Sequence, residues 1–273
     1  MPAIIKEIFT RRNLITELVL KDLKLRYGRP ILGPFWAFLL PLAAVFIFYL
    51  VFSVFLKAKT EEAPYILYLM TAIFPWRFFN DSIICSTTCL IDNKNLIKES
   101  NFPYYFLPLS IVLANMINFL PSLAILIFTA FLVLKGLPLL IFLLPLVLVI
   151  QLLLTVGLSI IASLLYVKYR DLKYILEIAL TVCFYLTPIF YSIDLVKNSL
   201  GPVLFKAYLY TPLTGILIFY RSVILKGFYS FIDKDLGWLP SIALAAGFSL
   251  AMLFLGFYCY SRFKNKVHDY LSC

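Results

Sequence analysis

Charge, histidine and the residues that bind nucleotides are what this sequence has least of. Only 14% of its 273 residues are charged, and one histidine, His268, sits in the tail. A soluble domain carries about 25% charged residues and roughly 45–50% apolar ones, whereas 63% are hydrophobic here. That balance excludes disorder, collagen, a coiled coil and a disulfide scaffold. With a single tail histidine, neither a Ser-His-Asp set nor an H-E-x-x-H metal motif can be built. The dipeptide Gly-Lys never occurs, so the chain has no Walker A loop and cannot hold ATP through a P-loop. Of the five cysteines, Cys85, Cys89, Cys183 and Cys259 lie in apolar stretches and Cys273 ends the chain. Two thiols on one helical face, Cys85 and Cys89, do not make a metal site, and no metal is expected. No small-residue cleavage site follows the basic N-terminal segment, which excludes a signal peptide.

What is present is apolar length. The composition predicts an all-α membrane protein, since a span takes about 20 apolar residues. Six transmembrane helices fit, at about 31–56, 64–91, 102–134, 138–167, 174–192 and 238–260. The first thirty residues carry seven basic side chains, and Ile15, Val19, Leu23 and Tyr27 share one face opposite Glu17, Lys21 and Lys24. That pattern predicts an amphipathic helix lying in the headgroup region over 1–30, ahead of a six-span domain over 31–273. Residues 203–225 are apolar but interrupted by Pro212 and Gly215, and they carry Lys206 and Arg221. Two half-length re-entrant helices fit this stretch better than a full span.

The net charge of +10 follows from 24 Lys and Arg against 14 Asp and Glu. No loop interleaves basic and aromatic residues at a length that could hold nucleic acid, so the excess reads as membrane topology. Six spans put 15 of the 24 basic residues on the side of the N-terminus and eight on the other, with Arg77 inside a span. Both termini are therefore expected in the cytoplasm. Pro41, Pro75, Pro121, Pro145 and Pro188 fall one to each of the first five spans, which predicts five kinked helices.

Few groups offer chemistry. Asp233-Lys234-Asp235 matches the D-x-D of metal-dependent glycosyltransferases only weakly and falls on the outer side, so an enzyme is not expected. Arg77 and Asp81 stand one turn apart in the second span, and a charge there needs a partner or water. Asn80, Asn115, Asn118 and Gln151 add neutral polar groups, read as hydrogen bonds between helices. Trp76, Phe78 and Phe79 cluster in the second span, and Phe184, Tyr185, Phe190 and Tyr191 in the fifth. Such faces suit sugar rings, and they equally suit lipid anchoring.

Six segments together resemble the permeases of ABC transporters that export O-antigen, capsule or teichoic acid. They are YGRPILGPFW from Tyr27, IFPWRFF from Ile73, LIKESNFPYYFLP from Leu96, YRDL from Tyr169, LTPIFY from Leu186, and Pro212-Leu213-Thr214 followed by Tyr220-Arg221. The likeness runs in order along nearly the whole chain. It departs at Thr211, where the family has Asn, and at Tyr104-Tyr105, where a basic residue is common.

The resemblance implies a homodimer in a bacterial inner membrane, with a separate P-loop ATPase under each subunit that supplies the ATP and Mg site. Asn95, Lys98, Glu99, Arg170 and Asp171 would receive the ATPase stroke, with Arg170 and Asp171 locking their turn through charge-assisted bonds. Pro212, Thr214, Tyr220 and Arg221 would form the outer gate. Trp76, Phe78, Phe79, Phe184, Tyr185 and Tyr191 would line the path of an undecaprenyl-linked polysaccharide, O-antigen first among the candidates. The N-terminal helix would frame entry from membrane lipid. A smaller amphiphile, a drug or lipid, is the alternative cargo, and a membrane enzyme acting on polyprenyl-linked sugars the less favoured one.

Overall fold

The computed structural model describes residues 2–28, 33–57, 63–98, 102–225 and 238–272, and every regular element among them is helical. Glu99 and the Asp233-Lys234-Asp235 tract lie outside the described residues. The N-terminal segment forms α1 (Pro2–Thr10) and α2 (Arg12–Tyr27). α3 (Trp36–Phe48) runs on into a π-helical stretch, Tyr49–Phe55. α4 (Tyr65–Asp92) is followed by the short α5 (Lys94–Lys98) and by α6 (Phe106–Leu134). A 3-10 turn, Leu139–Leu143, leads into α7 (Leu144–Lys168), and α8 (Leu172–Leu186) follows. Three shorter helices, α9 (Ile193–Ser199), α10 (Pro202–Leu209) and α11 (Pro212–Ile224), precede α12 (Trp238–Ser272).

The helices stop where the sequence obliges them to. α6 ends on Lys135 and Gly136, both at positive φ, which reverses the chain into α7. α8 ends at Thr187, whose ψ of 146° is the extended conformation that a following proline imposes. α11 opens on Pro212 in its first turn, where a missing N–H costs nothing.

Only three of the five prolines expected to kink a helix lie inside one. Pro41, Pro75 and Pro121 are internal. Pro145 occupies the first turn of α7, and Pro188 lies beyond the end of α8. The stretch expected as a fifth span to residue 192 is thus a 15-residue helix, about 22 Å long, followed by a non-helical break.

Four described helices are long and apolar enough to cross a membrane: Phe38–Phe55, Phe106–Leu134, Leu139–Lys168 and Pro240–Lys264. The pair Pro202–Leu209 and Pro212–Ile224, bent by 75°, makes a fifth if it counts as one span. α4 is long enough at 28 residues. It carries Arg77, Asn80, Asp81 and a run of hydroxyl side chains in place of a continuous apolar surface.

α4 is the central post. Most of its length is buried, and α3, α6, α7, α8 and α11 all pack on it. α2 lies along α6 through Ile15, Leu18 and Val19. Lys21 donates to Asn93 Oδ1 at 2.9 Å, and the Tyr105 hydroxyl donates to Glu7 at 2.9 Å. The Tyr260 ring packs on Tyr104 and Tyr105. The C-terminal end of α4, the start of α6 and the C-terminal half of α12 therefore gather at the end of the bundle that holds α1 and α2.

α7 and α12 make the closest helix pair. A Cβ built on Gly157 would stand 2.5 Å from the Met252 carbonyl carbon, and one on Gly256 2.8 Å from the Gly157 carbonyl oxygen. Only hydrogen at both positions permits this crossing. Gly157→Val should force the helices apart and cost about 1–3 kcal/mol, read as a lower melting temperature in detergent. Gly247→Ala, with nothing within 4 Å of the added carbon, should melt like the parent.

Candidate functional site

A break in a helix frees backbone groups, and in hydrocarbon each must find a partner inside the protein. Residues 187–191 are such a break, and α4 and α11 close it. The Tyr65 hydroxyl donates to the Phe190 carbonyl at 2.6 Å, and the Tyr68 hydroxyl to the Tyr191 carbonyl at 2.8 Å. Arg221, fully buried, donates through Nη2 to the Ile189 carbonyl at 3.3 Å. Its guanidinium stands 3.5 Å over the centre of the Tyr68 ring, a cation–π contact that gains strength away from water. The Tyr191 hydroxyl turns back to the Leu186 carbonyl at 2.7 Å. Two elements distant in sequence, α4 and α11, thus fix one five-residue segment.

The residues expected at an outer gate sit around this clamp. Pro212 starts α11, and Thr214 is buried and receives a hydrogen bond from Thr211 Oγ1 at 2.7 Å. The Tyr220 hydroxyl donates to Gln151 Oε1 at 2.5 Å, and Gln151 Nε2 donates to the Pro75 carbonyl at 2.8 Å. Gln151 is therefore a strut between α4, α7 and α11. Tyr65 and Tyr68 were not singled out from sequence. Two tyrosines one turn apart at the end of a span were the available signal, hidden among the many tyrosines that anchor membrane proteins.

The expected path aromatics divide. Trp76 lies 5.8 Å from Phe79 and 5.5 Å from Phe184 between ring centres. Phe184 touches Tyr185 at 5.3 Å and Phe190 at 5.0 Å. Phe48 and Phe52, from α3 and its π-helical extension, complete the cluster against Phe190 at 4.5 Å and 5.4 Å. Phe78 faces the other way and stacks on Phe119 of α6 at 5.4 Å. Tyr191 serves the break. The cluster grades from buried Trp76 and Phe79 to Tyr185, which is 60% exposed. On α8, Tyr174, Ile178, Val182 and Tyr185 follow helical spacing and all are at least half exposed.

The Arg77–Asp81 pair forms, Nε to Oδ2 at 3.0 Å, with Asn80 Nδ2 on the other carboxylate oxygen at 3.2 Å. It lines a recess together with Pro41, Asn115, Asn118, Phe119 and Ser122. Arg26 of α2 reaches the rim, donating to Asn115 Oδ1 at 2.6 Å and pairing with Asp22 at 2.8 Å. Burial holds the Asp22 carboxyl above the usual carboxylate range, against the opposing pull of Arg26 and Lys21. Asn115, read from sequence as a link between helices, does join α6 to α2 through Arg26, and both Asn115 and Asn118 also line this recess.

At the end that holds α1 and α2, Asn95 is exposed on α5, and Lys98 is the last residue of α5. Arg170 and Asp171 are exposed in the turn between α7 and α8. The lock expected between them is not formed. Arg170 lies 5.8 Å from the Tyr166 ring centre, and Asp171 stands at the N-cap of α8 without a side-chain capping bond. The Leu172 N–H donates to the Tyr169 carbonyl at 3.2 Å and closes the turn through the backbone. Tyr104 and Tyr105 are buried against Tyr260, with Phe257 5.7 Å from Tyr105. Where a basic side chain is common, this chain has an aromatic wedge between α6 and α12.

The sequence matches the ABC-2 type transporter family over residues 13–225. It is 30% identical to the O-antigen export system permease protein RfbA of Klebsiella pneumoniae over 95% of both chains. It is 28% identical to the protein of the same name from Myxococcus xanthus, over 90% of this chain and 91% of that one. A second Klebsiella pneumoniae RfbA is 30% identical over 79% of this chain and 81% of its own length.

Tyr68→Phe keeps the ring beneath Arg221 and removes the bond to the Tyr191 carbonyl. It should cost about 1–3 kcal/mol, the desolvation of one orphaned buried group, seen as a lower melting temperature in detergent.

Proposed function

The chain belongs to the ABC-2 type transporter family, and we propose that within it the chain is the permease subunit of an exporter of lipid-linked O-antigen. One observation carries this reading. A relative named for O-antigen export aligns over 95% of both chains. The relatives' names support transport rather than catalysis by this chain, within a multi-pass membrane protein.

In this reading the bundle crosses the bacterial inner membrane six times. α3, α4, α6, α7 and α12 are five crossings, and α8 with the break that follows is the sixth. The meeting of Glu7, Tyr105 and Tyr260 at one end supports an even count, and the basic residues of that end support a cytoplasmic position. The bent pair α10–α11 is the outer gate, and Arg221 fixes it to the break. Two copies face each other, and the aromatic face of α8 with Tyr185 borders the path for the sugar polymer. The chain has no P-loop, so a separate ATPase with its own ATP and Mg drives it. That ATPase pushes on α5 and on the turn holding Arg170 and Asp171.

Gentle purification from host membranes should bring down a P-loop ATPase in equal amount. A chain that emerges alone from several mild detergents, with no ATPase gene beside its own, would contradict the reading. Trp76→Ala with Tyr185→Ala should lower surface polymer more than protein level, and unchanged export at normal abundance would remove the aromatic path.

A further inference from the structure

The recess around Arg77 has more hydrogen-bond donors than the protein uses. Arg77 engages Asp81 through Nε alone, and a guanidinium has five N–H donors. Asn115 is 5% exposed, and its Nδ2 is buried with no partner although its Oδ1 takes the bond from Arg26. Asn118 lines the same space. The only carboxylate there, Asp81, is already held by Arg77 and Asn80. A buried amide N–H without an acceptor keeps its full desolvation penalty, so the arrangement calls for an acceptor-rich group from outside.

The recess also adjoins α2, the helix read as lying in the headgroup layer. α6 has 29 residues, more than a bilayer core needs. The stretch from Asn115 to Leu134 alone spans roughly 30 Å. The residues before it run alongside α2, which carries four basic and two acidic side chains and fits the headgroup layer. Arg26 at the C-terminal end of α2 touches Asn115, so the recess opens at the boundary between headgroups and hydrocarbon. Its remaining walls are Pro41, Phe74, Phe78 and Phe119, suited to the first methylenes of a lipid chain, and Ser122.

We infer that this recess binds the phosphate of a membrane lipid, with the Arg77 amino groups and the amides of Asn115 and Asn118 as donors. The phosphate comes from one of two sources, a bulk phospholipid or the diphosphate of a polyprenyl carrier; only the second rests on the export reading above. Phosphate fits guanidinium geometry through paired N–H bonds. Asp81 orients Arg77 and is not itself a ligand.

The test uses the full-length chain in a maltoside detergent, which holds no phosphate. Farnesyl diphosphate, phosphatidylglycerol and farnesol are titrated in turn, and bound adducts are read by native mass spectrometry. The parent should bind the two phosphate lipids and discriminate at least tenfold against farnesol. Arg77→Gln should weaken phosphate binding at least tenfold and Asn118→Leu several-fold, with farnesol unchanged, and Arg77→Lys should recover part of the loss. Diphosphate at least tenfold tighter than phosphatidylglycerol assigns the site to the carrier, and equal binding assigns it to bulk headgroups. Parental binding by both Arg77→Gln and Asn118→Leu, each folded by its melting curve, would overturn the site, as would farnesol bound as tightly as the diphosphate. The measurement involves neither ATPase nor export, so its failure leaves the transport reading untouched, and a missing ATPase leaves the site untouched.

Discussion

Backbone polar groups in hydrocarbon have no water to bond, and the five residues after α8 make that constraint local. Pro188 ends the helix, and the carbonyls of Ile189, Phe190 and Tyr191 are taken by Arg221, Tyr65 and Tyr68. Because those donors come from α4 and α11, satisfying the break fixes that end of the bundle. Arg221 is buried at the cost of desolvation, and the Tyr68 ring and the Ile189 carbonyl help to hold it. Tyr220, one residue earlier, ties the same helix to Gln151 and through it to the Pro75 carbonyl of α4. A proline that would weaken an isolated helix here organises the contacts of its neighbours.

The opposite end is fastened by different chemistry. Tyr104, Tyr105, Phe257 and Tyr260 form an aromatic wedge, and the Tyr105 hydroxyl holds Glu7 of α1. Between the two ends, the small residues of α7 and α12 allow backbones to touch at Gly157 and Gly256. The molecule thus has two anchored ends joined by a closely packed middle, with α3 and α8 as its exposed aromatic flank.

Much of this was legible in composition and spacing. The all-helical class and the turn at Lys135-Gly136 followed from apolar length and from where charge and glycine fall, whereas the helix expected over 1–30 is divided at Arg11 into α1 and α2. The Arg77–Asp81 pair followed from i, i+4 spacing. Three things did not follow. Pro145 and Pro188 were read as kinks because a proline inside an apolar run has the same appearance whether it lies within a helix or at its edge. Phe78 was grouped with Trp76 and Phe79 because adjacency in sequence conceals that neighbouring residues on a helix point about 100° apart. Arg170 and Asp171 were paired by adjacency, which on a turn does not bring side chains together. Long-range partners such as Tyr68 with Arg221 were beyond reach, since spacing along the chain carries no information about helices that meet across a bundle.

The central claim is that this chain moves a lipid-linked polymer and does not build it. It is tested most directly by deleting its gene in its own host, then separating polymer at the cell surface from polymer held inside on its lipid carrier. The account predicts that surface polymer disappears while carrier-linked polymer accumulates inside, and that the intact gene restores both. Surface polymer at its normal level without the chain, or loss of polymer from both places, would contradict it.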